Sequence, residues 1–168
     1  MNAQRRLACA MGFSFLVSGL TGCGEDPLLT VGEPIRHDDF FYTVLAAQRV
    51  AGIGNRLAAG QFLVVHFEVR NRAARVPHTW TNDIAYLRDA NGRHHENDIA
   101  LQQELDGLHP FRWAAEYVTA AGTSRSTMLV FDVPGDAARP LDLMVHGELL
   151  IGDVLDGVRF RRTRVRLP

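Results

Sequence analysis

Cysteine is scarce in this chain of 168 residues, which contains only Cys9 and Cys23. Cys9 lies in an apolar run near the amino terminus and Cys23 follows that run, so no further thiol occurs beyond Cys23. This excludes an intramolecular disulfide, a cysteine-based zinc site and a catalytic cysteine from the rest of the chain. With 46% hydrophobic residues, such a domain must be stabilised by its own core.

Lysine is missing altogether, and all 18 basic residues are arginine. Two of them precede Cys23, which leaves 16 arginines against 19 acidic residues and a net charge of −3 from Cys23 onward. A slightly acidic chain gives no indication of nucleic-acid binding. The charged fraction of 22% is typical of one compact domain.

Serine is almost as rare, since only Ser124 and Ser126 occur after Cys23. Neither lies in the Gly-x-Ser-x-Gly turn that exposes the nucleophile of many hydrolases. Because no serine or cysteine nucleophile is indicated, we predict that the protein is not an enzyme. The two serines are expected in the turn before a strand.

Residues 1–22 have the pattern of an export signal peptide. Arg5 and Arg6 give a positive start, and residues 7–20 form an apolar stretch too short to span a bilayer stably. We therefore expect this segment to direct export rather than to remain as a membrane-spanning helix.

The end of this segment, Leu20, Thr21, Gly22 and Cys23, resembles the bacterial lipobox. In that motif, small residues precede the cleaved bond and the cysteine thiol receives a diacylglycerol group. The resemblance implies that Leu20, Thr21 and Gly22 are recognised by the signal peptidase and that Cys23 carries the lipid. Two or three acyl chains such as palmitate, at about 0.8 kcal/mol per buried methylene, make membrane attachment effectively permanent.

The residues after Cys23 bear on location and tethering. Gly24 stands where an aspartate would resemble the inner-membrane retention signal, so the outer membrane is favoured over the inner membrane as the site of anchoring. Residues 23–39 contain prolines, glycines and acidic residues without a sustained apolar period, and we predict a flexible tether there. The folded domain is then expected over residues 40–168.

Alternation of apolar and polar residues predicts a mostly β domain. Residues 62–70 form the clearest strand, whose core face has Leu63, Val65, Phe67 and Val69. The same reasoning predicts strands over residues 40–51, 79–87, 111–119, 128–133, 141–149 and 158–167. In the strand over 79–87, Trp80, Ile84 and Tyr86 share one face, and Asn91-Gly92 predicts a hairpin turn after it.

One segment breaks this alternation. Leu101, Leu105 and Leu108 recur at helical spacing, Asp98 is a suitable amino-terminal cap, and Gly107 is a suitable terminator. The chain is thus predicted to be all-β, an antiparallel sandwich of about seven strands with one short helical insertion.

Three segments carry a resemblance to a known family. They are residues 60–71 (GQFLVVHFEVRN), residues 87–92 (LRDANG), and residues 122–134, which begin Gly-Thr-Ser and end Leu-Val-Phe-Asp-Val-Pro. Their order and spacing over roughly residues 40–147 are similar to the telokin-like domain of unknown function 4352, found in many bacterial lipoproteins. The resemblance implies an immunoglobulin-like sandwich in the cell envelope and supplies no catalytic residues. The helical insertion and the arginine-rich end depart from the family pattern.

Residues with metal-ligand chemistry cluster in one place, at His94, His95 and Glu96, with His109 further on. Adjacent histidines on a strand point to opposite faces, so both reach one ion only if the chain bends. We therefore favour a solvated loop after a hairpin over a metal site. No cofactor is predicted other than the covalent lipid on Cys23.

Arginines crowd the last predicted strand, at Arg159, Arg161, Arg162, Arg164 and Arg166. Their guanidinium groups are suited to the phosphates of lipopolysaccharide or to carboxylates of a partner. Alternatively, they protect an edge strand from pairing with other chains, which is the interpretation we favour.

These observations lead to two functional hypotheses. The first is a non-enzymatic module, anchored to the membrane by lipid, that binds an envelope protein or glycan through its loops or the arginine-rich edge. The second is a small-ligand or metal-binding lipoprotein centred on the histidine cluster.

Overall fold

A computed structural model describes residues 27–82, 85–109, 112–146 and 162–168 of the protein. The predicted signal peptide, Cys23, Arg159 and Arg161 lie outside these residues. The described residues form eleven strands and one helix. In chain order these are β1 (Leu28–Thr30), β2 (Pro34–His37), β3 (Phe40–Ile53), β4 (Arg56–Asn71), β5 (His78–Thr81), β6 (Ala85–Arg88), β7 (His94–His95), α1 (Ile99–Leu108), β8 (Glu116–Thr119), β9 (Ser124–Val133), β10 (Asp142–His146) and β11 (Arg162–Arg166).

The strands form a β-sandwich, which confirms the predicted fold class. One sheet has the order β1-β11-β10-β6-β7, the other has the order β2-β3-β4-β9, and β5 pairs with β8 in a small third sheet. All pairings are antiparallel except that of β1 with β11, which is parallel. The parallel pair is a difference from the wholly antiparallel sandwich that the sequence predicts.

The main core lies between the sheets and contains the predicted face of β4. Leu63, Val65, Phe67 and Val69 are each at most 1% exposed and belong to one buried cluster. Trp80 on β5 packs against the ring of Phe67, with centroids 4.8 Å apart. Alternation along β4 therefore identified its buried face correctly.

The predicted helix is confirmed over Ile99–Leu108. Asp98 caps it, since its side chain accepts a hydrogen bond of 2.9 Å from the Leu101 N–H. Gly107 lies in the last turn instead of ending the helix. The single helix in the described part of the chain is too short to cross a membrane.

Helix α1 covers the outer face of the four-stranded sheet. Leu101 and Leu105 pack against Phe62 of β4 and Val130 of β9 in a second buried cluster. Strand β4 is thus covered on both faces at this point, which explains why Phe62 is buried although it does not belong to the predicted core face.

The helical insertion also supplies hydrogen-bond partners for the backbone groups on the outer edge of β9. Gln102, which is fully buried, donates from Nε2 to the Met128 carbonyl (2.7 Å) and accepts at Oε1 from the Val130 N–H (3.3 Å). The Arg112 carbonyl accepts from the Met128 N–H (3.1 Å), and the Asp98 N–H donates to the Val130 carbonyl (2.8 Å). Backbone groups that would otherwise be buried without partners are therefore paired by side-chain and loop groups of the insertion.

The strand predicted over residues 79–87 is wrong in one respect. The chain leaves the β5–β8 pair and enters the five-stranded sheet as β6, so two strands replace one. Ala85 and Leu87 are fully buried in the main core, whereas Tyr86 packs against the His94 ring outside it. Because the chain changes sheet after Trp80, the side chains that face the main core change from even-numbered to odd-numbered positions. Tyr86 therefore does not share the core face of Trp80, contrary to the prediction.

The predicted tether over residues 23–39 is too long. Within it, β1 pairs with β11 and β2 pairs with β3, and the Pro27 carbonyl already accepts a hydrogen bond of 2.9 Å from the Arg164 N–H. These strands have only three and four residues, and their pairing depends on partners elsewhere in the chain, so no local periodicity reveals them. The described fold begins by residue 28, not at residue 40.

Candidate functional site

The predicted histidine cluster is not assembled into a metal site. His94 is exposed and packs against the Tyr86 ring with ring centroids 4.5 Å apart, while His95 is largely buried with Nε2 3.8 Å from the Asp89 carboxylate. Glu96 and His109 are exposed. The described residues contain no group of three or more histidine, cysteine, aspartate or glutamate side chains placed to hold a metal ion.

Asp89 is instead the centre of a structural network at the predicted hairpin turn. Its buried carboxylate accepts hydrogen bonds from the backbone N–H groups of Asn91 and Arg93 and from Arg93 Nε, each at 2.9 Å. Arg93 also donates to the carboxylate and carbonyl of Asp136, at 3.0 and 2.9 Å. The network joins the β6–β7 turn to the loop between β9 and β10, and Gly92 supplies the turn's positive φ of 82°.

The charge of Asp89 is stabilised in the folded protein. Burial raises the pKa of the carboxyl, but the hydrogen bonds from Arg93 and from the Ala138 N–H together lower it by more, to about 2 from an ordinary 3.8. Because the folded-state pKa lies below the unfolded value, this contribution to stability is complete above about pH 4 and is lost as the pH falls towards 2.

We expect Asp89→Asn to lower stability at neutral pH and to remove this part of the acid sensitivity. An amide has only one acceptor oxygen and no charge, so it cannot replace the bonds from Arg93 and the turn backbone. Urea unfolding midpoints measured from pH 7 to pH 2.5 test this. Asp136→Asn is the control, because the Asp136 side chain is 74% exposed and contacts the same arginine. An acid dependence in Asp89→Asn as steep as in the wild type would contradict the prediction.

The arginine-rich strand is not an edge, which corrects the interpretation favoured from the sequence. β11 lies between β1 and β10. Arg166 donates from Nε to the Asp142 carboxylate on β10 at 2.5 Å, and Arg164 Nη1 lies 3.9 Å from the same carboxylate. Arg164 and Arg166 thus interact within the sheet, because the paired strand has Asp142 opposite Arg166 and within reach of Arg164.

The two serines occupy the start of β9, after the turn at Gly122, and not the turn itself, where the sequence predicts them. Ser124 is opposite Arg70 and Ser126 is opposite Glu68 in the β4–β9 pair.

A surface depression offers a better candidate site than the clusters predicted from sequence. It has a volume of about 500 Å³ and lies where the turn after β1, the middle of β3 and the last residues of the chain meet. We call it the β1 depression. Its lining consists of Thr30, Val31, Leu45, Ala46, Ala47, Arg166, Leu167 and Pro168. Most of these side chains are apolar, so the depression is suited to an apolar ligand or surface.

A β-bulge shapes this depression. The register of β3 against β4 shifts between Val44, opposite Phe67, and Ala46, opposite His66, which leaves Leu45 as the extra residue. Val44 is fully buried, whereas Leu45 is 42% exposed. Bulges commonly redirect a side chain in this way, and here the bulge turns a leucine towards solvent beside the depression.

Arg49 lies at the rim of the depression, and Arg139 lies near Arg49. The guanidinium group of Arg49 donates to the Pro168 carbonyl, and both burial and the nearby charge of Arg139 lower the pKa of Arg49. Arg49 and Arg139 are exposed. The rim therefore presents positive charge next to an apolar surface.

Sequence reasoning missed this site because its walls come from three distant segments. The only local signal is the run Leu45-Ala46-Ala47, three apolar residues that interrupt the alternation of the first predicted strand.

The fold and this site define a β-sandwich protein with an apolar surface depression. The chain resembles the yjhA protein of Bacillus subtilis, with a TM-score of 0.60 and 15% identity over 83% of this chain and 99% of that one. It also resembles a "putative lipoprotein (ycdA)" of Bacillus subtilis, with a TM-score of 0.56 and 13% identity over 80% of this chain but only 38% of that one.

A third similar structure is the secreted protein MPT63 of Mycobacterium tuberculosis, with a TM-score of 0.51 and 13% identity over 86% of this chain and 98% of that one. The sequence matches no family model and no curated protein. At these identities, the likeness establishes the β-sandwich fold and nothing further.

Proposed function

We propose that this protein is a non-enzymatic binding module of the cell envelope, exported by its signal peptide and anchored by lipid on Cys23. The observation that carries the proposal is the position of the lipobox-like segment relative to the fold. The Pro27 carbonyl is already paired with β11, so the sandwich begins no more than four residues after Cys23. The signal segment therefore ends where the folded domain begins, as expected of a lipoprotein precursor.

Extracytoplasmic location has further support. Two proteins of similar fold are named as a secreted protein and as a "putative lipoprotein". Gly24, in place of an aspartate after Cys23, favours the outer membrane.

We also propose that the domain belongs to the telokin-like family named above. The motif that ends in Asn71 closes β4, where the Asn71 side chain donates to the carbonyls of Val76 and Thr119 at 2.7 and 3.1 Å. The second motif forms the turn centred on Asp89, and the third forms β9. All three segments thus have structural roles in one sandwich.

A binding role fits the polar chemistry of the described residues better than catalysis. The most buried carboxylates, those of Asp89 and Asp142, are held by arginines on neighbouring segments. For Asp89, the hydrogen bonds from Arg93 and from the Ala138 N–H lower the pKa to about 2, so this carboxylate is poorly suited to transfer a proton near neutral pH. The partner is proposed to be an envelope protein or glycan.

The lipid anchor is tested by labelling growing cells with an alkyne analogue of palmitate. We expect the wild type to incorporate label and to sediment with membranes, and Cys23→Ala to lose the label and accumulate as unprocessed precursor. Cys9→Ala is the matched control and should behave as the wild type, because Cys9 lies inside the apolar run. Label retained in Cys23→Ala, or absent from the wild type, would refute the proposal.

A further inference from the structure

We propose that the β1 depression is a membrane-contact surface, through which the anchored domain rests against the phospholipids of its own bilayer. Leu45 and the partly buried Val31 would contact the acyl region, and Arg49 and Arg139 would face anionic headgroups. The inference rests on the proposed lipid anchor at Cys23 and adds an orientation and a second lipid contact to it.

The first argument is distance. Four residue steps separate Cys23 from Pro27, whose carbonyl is fixed on β11, and fully extended chain spans at most about 14 Å over four steps. Strand β1 then carries the chain about 10 Å further to Thr30, at the edge of the depression. The depression therefore lies within about 24 Å of the lipid-bearing residue, whereas a tether through residue 39 would allow a separation of about 55 Å.

The second argument is the character of the exposed surface. Leu45 is 42% exposed beside the depression, and Leu28, at the start of β1, is 47% exposed. Apolar side chains held this close to a bilayer gain free energy by entering its interface, in the same way as the apolar face of a peripheral helix. A covalent anchor also gives the contact a high effective concentration, so even a weak surface affinity suffices to orient the domain.

The third argument is charge. Arg166 lines the depression and, with Arg164, lies beside the Asp142 carboxylate. Arg49 is exposed and donates to the Pro168 carbonyl, and its charge interacts with that of the exposed Arg139. Glu33 is the nearby acid, and its carboxylate accepts hydrogen bonds from the N–H and hydroxyl of Thr30. Arg49 and Arg139 therefore place positive charge beside the depression, which complements anionic phospholipid.

The test uses fluorescent labels on the full-length lipoprotein. Leu45→Cys and Leu57→Cys each introduce a single thiol, because Cys23 is occupied by lipid and no other cysteine follows it. Leu57 is 84% exposed and lies opposite Gly52, so it is about 23 Å along the β3–β4 hairpin from Leu45. Thermal unfolding of each labelled variant establishes that it is folded.

Each variant is reconstituted into vesicles of phosphatidylcholine and phosphatidylglycerol whose acyl chains carry bromine, which quenches the label on contact. We expect several-fold stronger quenching at position 45 than at position 57. Vesicles of phosphatidylcholine alone should weaken the quenching at position 45, and undiminished quenching there would overturn the headgroup contact.

The failures of anchor and contact are distinguishable. If the wild type does not float with vesicles, the proposed lipid anchor is wrong, and the proposed contact surface, which depends on it, is wrong too. If the protein floats but position 45 is quenched no more than position 57, only the contact surface is wrong. A blue shift at position 45 without quenching would mean that the acyl chain on Cys23, or a protein partner, occupies the depression, and would also overturn the inference.

Discussion

Gln102→Leu is expected to lower the free energy of unfolding by about 2 to 4 kcal/mol and the Tm by roughly 6 to 12 °C. Gln102 is fully buried, and its amide pairs both the Met128 carbonyl and the Val130 N–H on the outer edge of β9. Leucine has a similar size but no polar group, so both backbone groups lose their partner inside the protein. Each buried group left unpaired costs about 1 to 3 kcal/mol.

Chemical denaturation measures this loss, and hydrogen exchange locates it. The amide of Val130 should exchange faster in Gln102→Leu than in the wild type by more than global destabilisation explains. Gln103→Leu makes the same change at the next, exposed position of α1, and we expect it to alter stability by less than about 0.5 kcal/mol. An equal loss of unfolding free energy in the two variants would show that the hydrogen bonds of Gln102 to β9 do not stabilise the fold.

Local pattern predicted the elements whose structure is determined locally. Strand β4 is predictable because Leu63, Val65, Phe67 and Val69 alternate over several residues, and all of them are buried in the main core. Helix α1 is predictable because leucine spacing and the Asp98 cap agree. The pattern does not predict the second role of α1, in which the Gln102 side chain forms hydrogen bonds with the backbone of β9. A single glutamine on a leucine-rich face is the only sign of it in the sequence.

Changes of sheet are harder to predict. Asn97 donates to the carbonyls of Asn82 and Ala85, both at 2.7 Å, and so pairs backbone groups on either side of the passage from β5 to β6. Asn97 is 12 residues away from Ala85 in sequence, so the alternation of residues 79–87 gives no sign that a side chain elsewhere divides the strand.

Long-range pairing also explains the two errors at the ends of the domain. Leu28 of β1 is in register with Arg164 of β11, and neither short strand is recognisable without the other. The arginines of β11 resemble a protected edge until Asp142 on β10 is placed opposite Arg166. The candidate site itself was not predicted, because the β1 depression combines these same ends with the bulge at Leu45.

Gly60→Ala is expected to destabilise the domain by about 3 kcal/mol, although it adds only one methyl group. A Cβ atom at Gly60 would lie 2.6 Å from the Val133 carbonyl oxygen and 2.7 Å from the Pro134 carbonyl carbon, and it would also overlap the Gly135 nitrogen. All three are backbone atoms, which cannot rotate away as a flexible side chain does. The chain entering the paired part of β4 must therefore move away from the end of β9, where Gln61 is in register with Val133.

Gly107→Ala is the matched control for this substitution. Nothing lies within 4 Å of a Cβ atom at Gly107, which is in the last turn of α1, and alanine there should raise stability by up to about 1 kcal/mol. Denaturant midpoints of the two variants should thus shift in opposite directions from the wild type. If Gly60→Ala unfolded at the wild-type midpoint, the close approach of β4 to the Val133–Gly135 backbone would not constrain the native fold. The expected shift means that Gly60, which begins the first family-like segment, is required for packing of the sandwich, independent of any ligand.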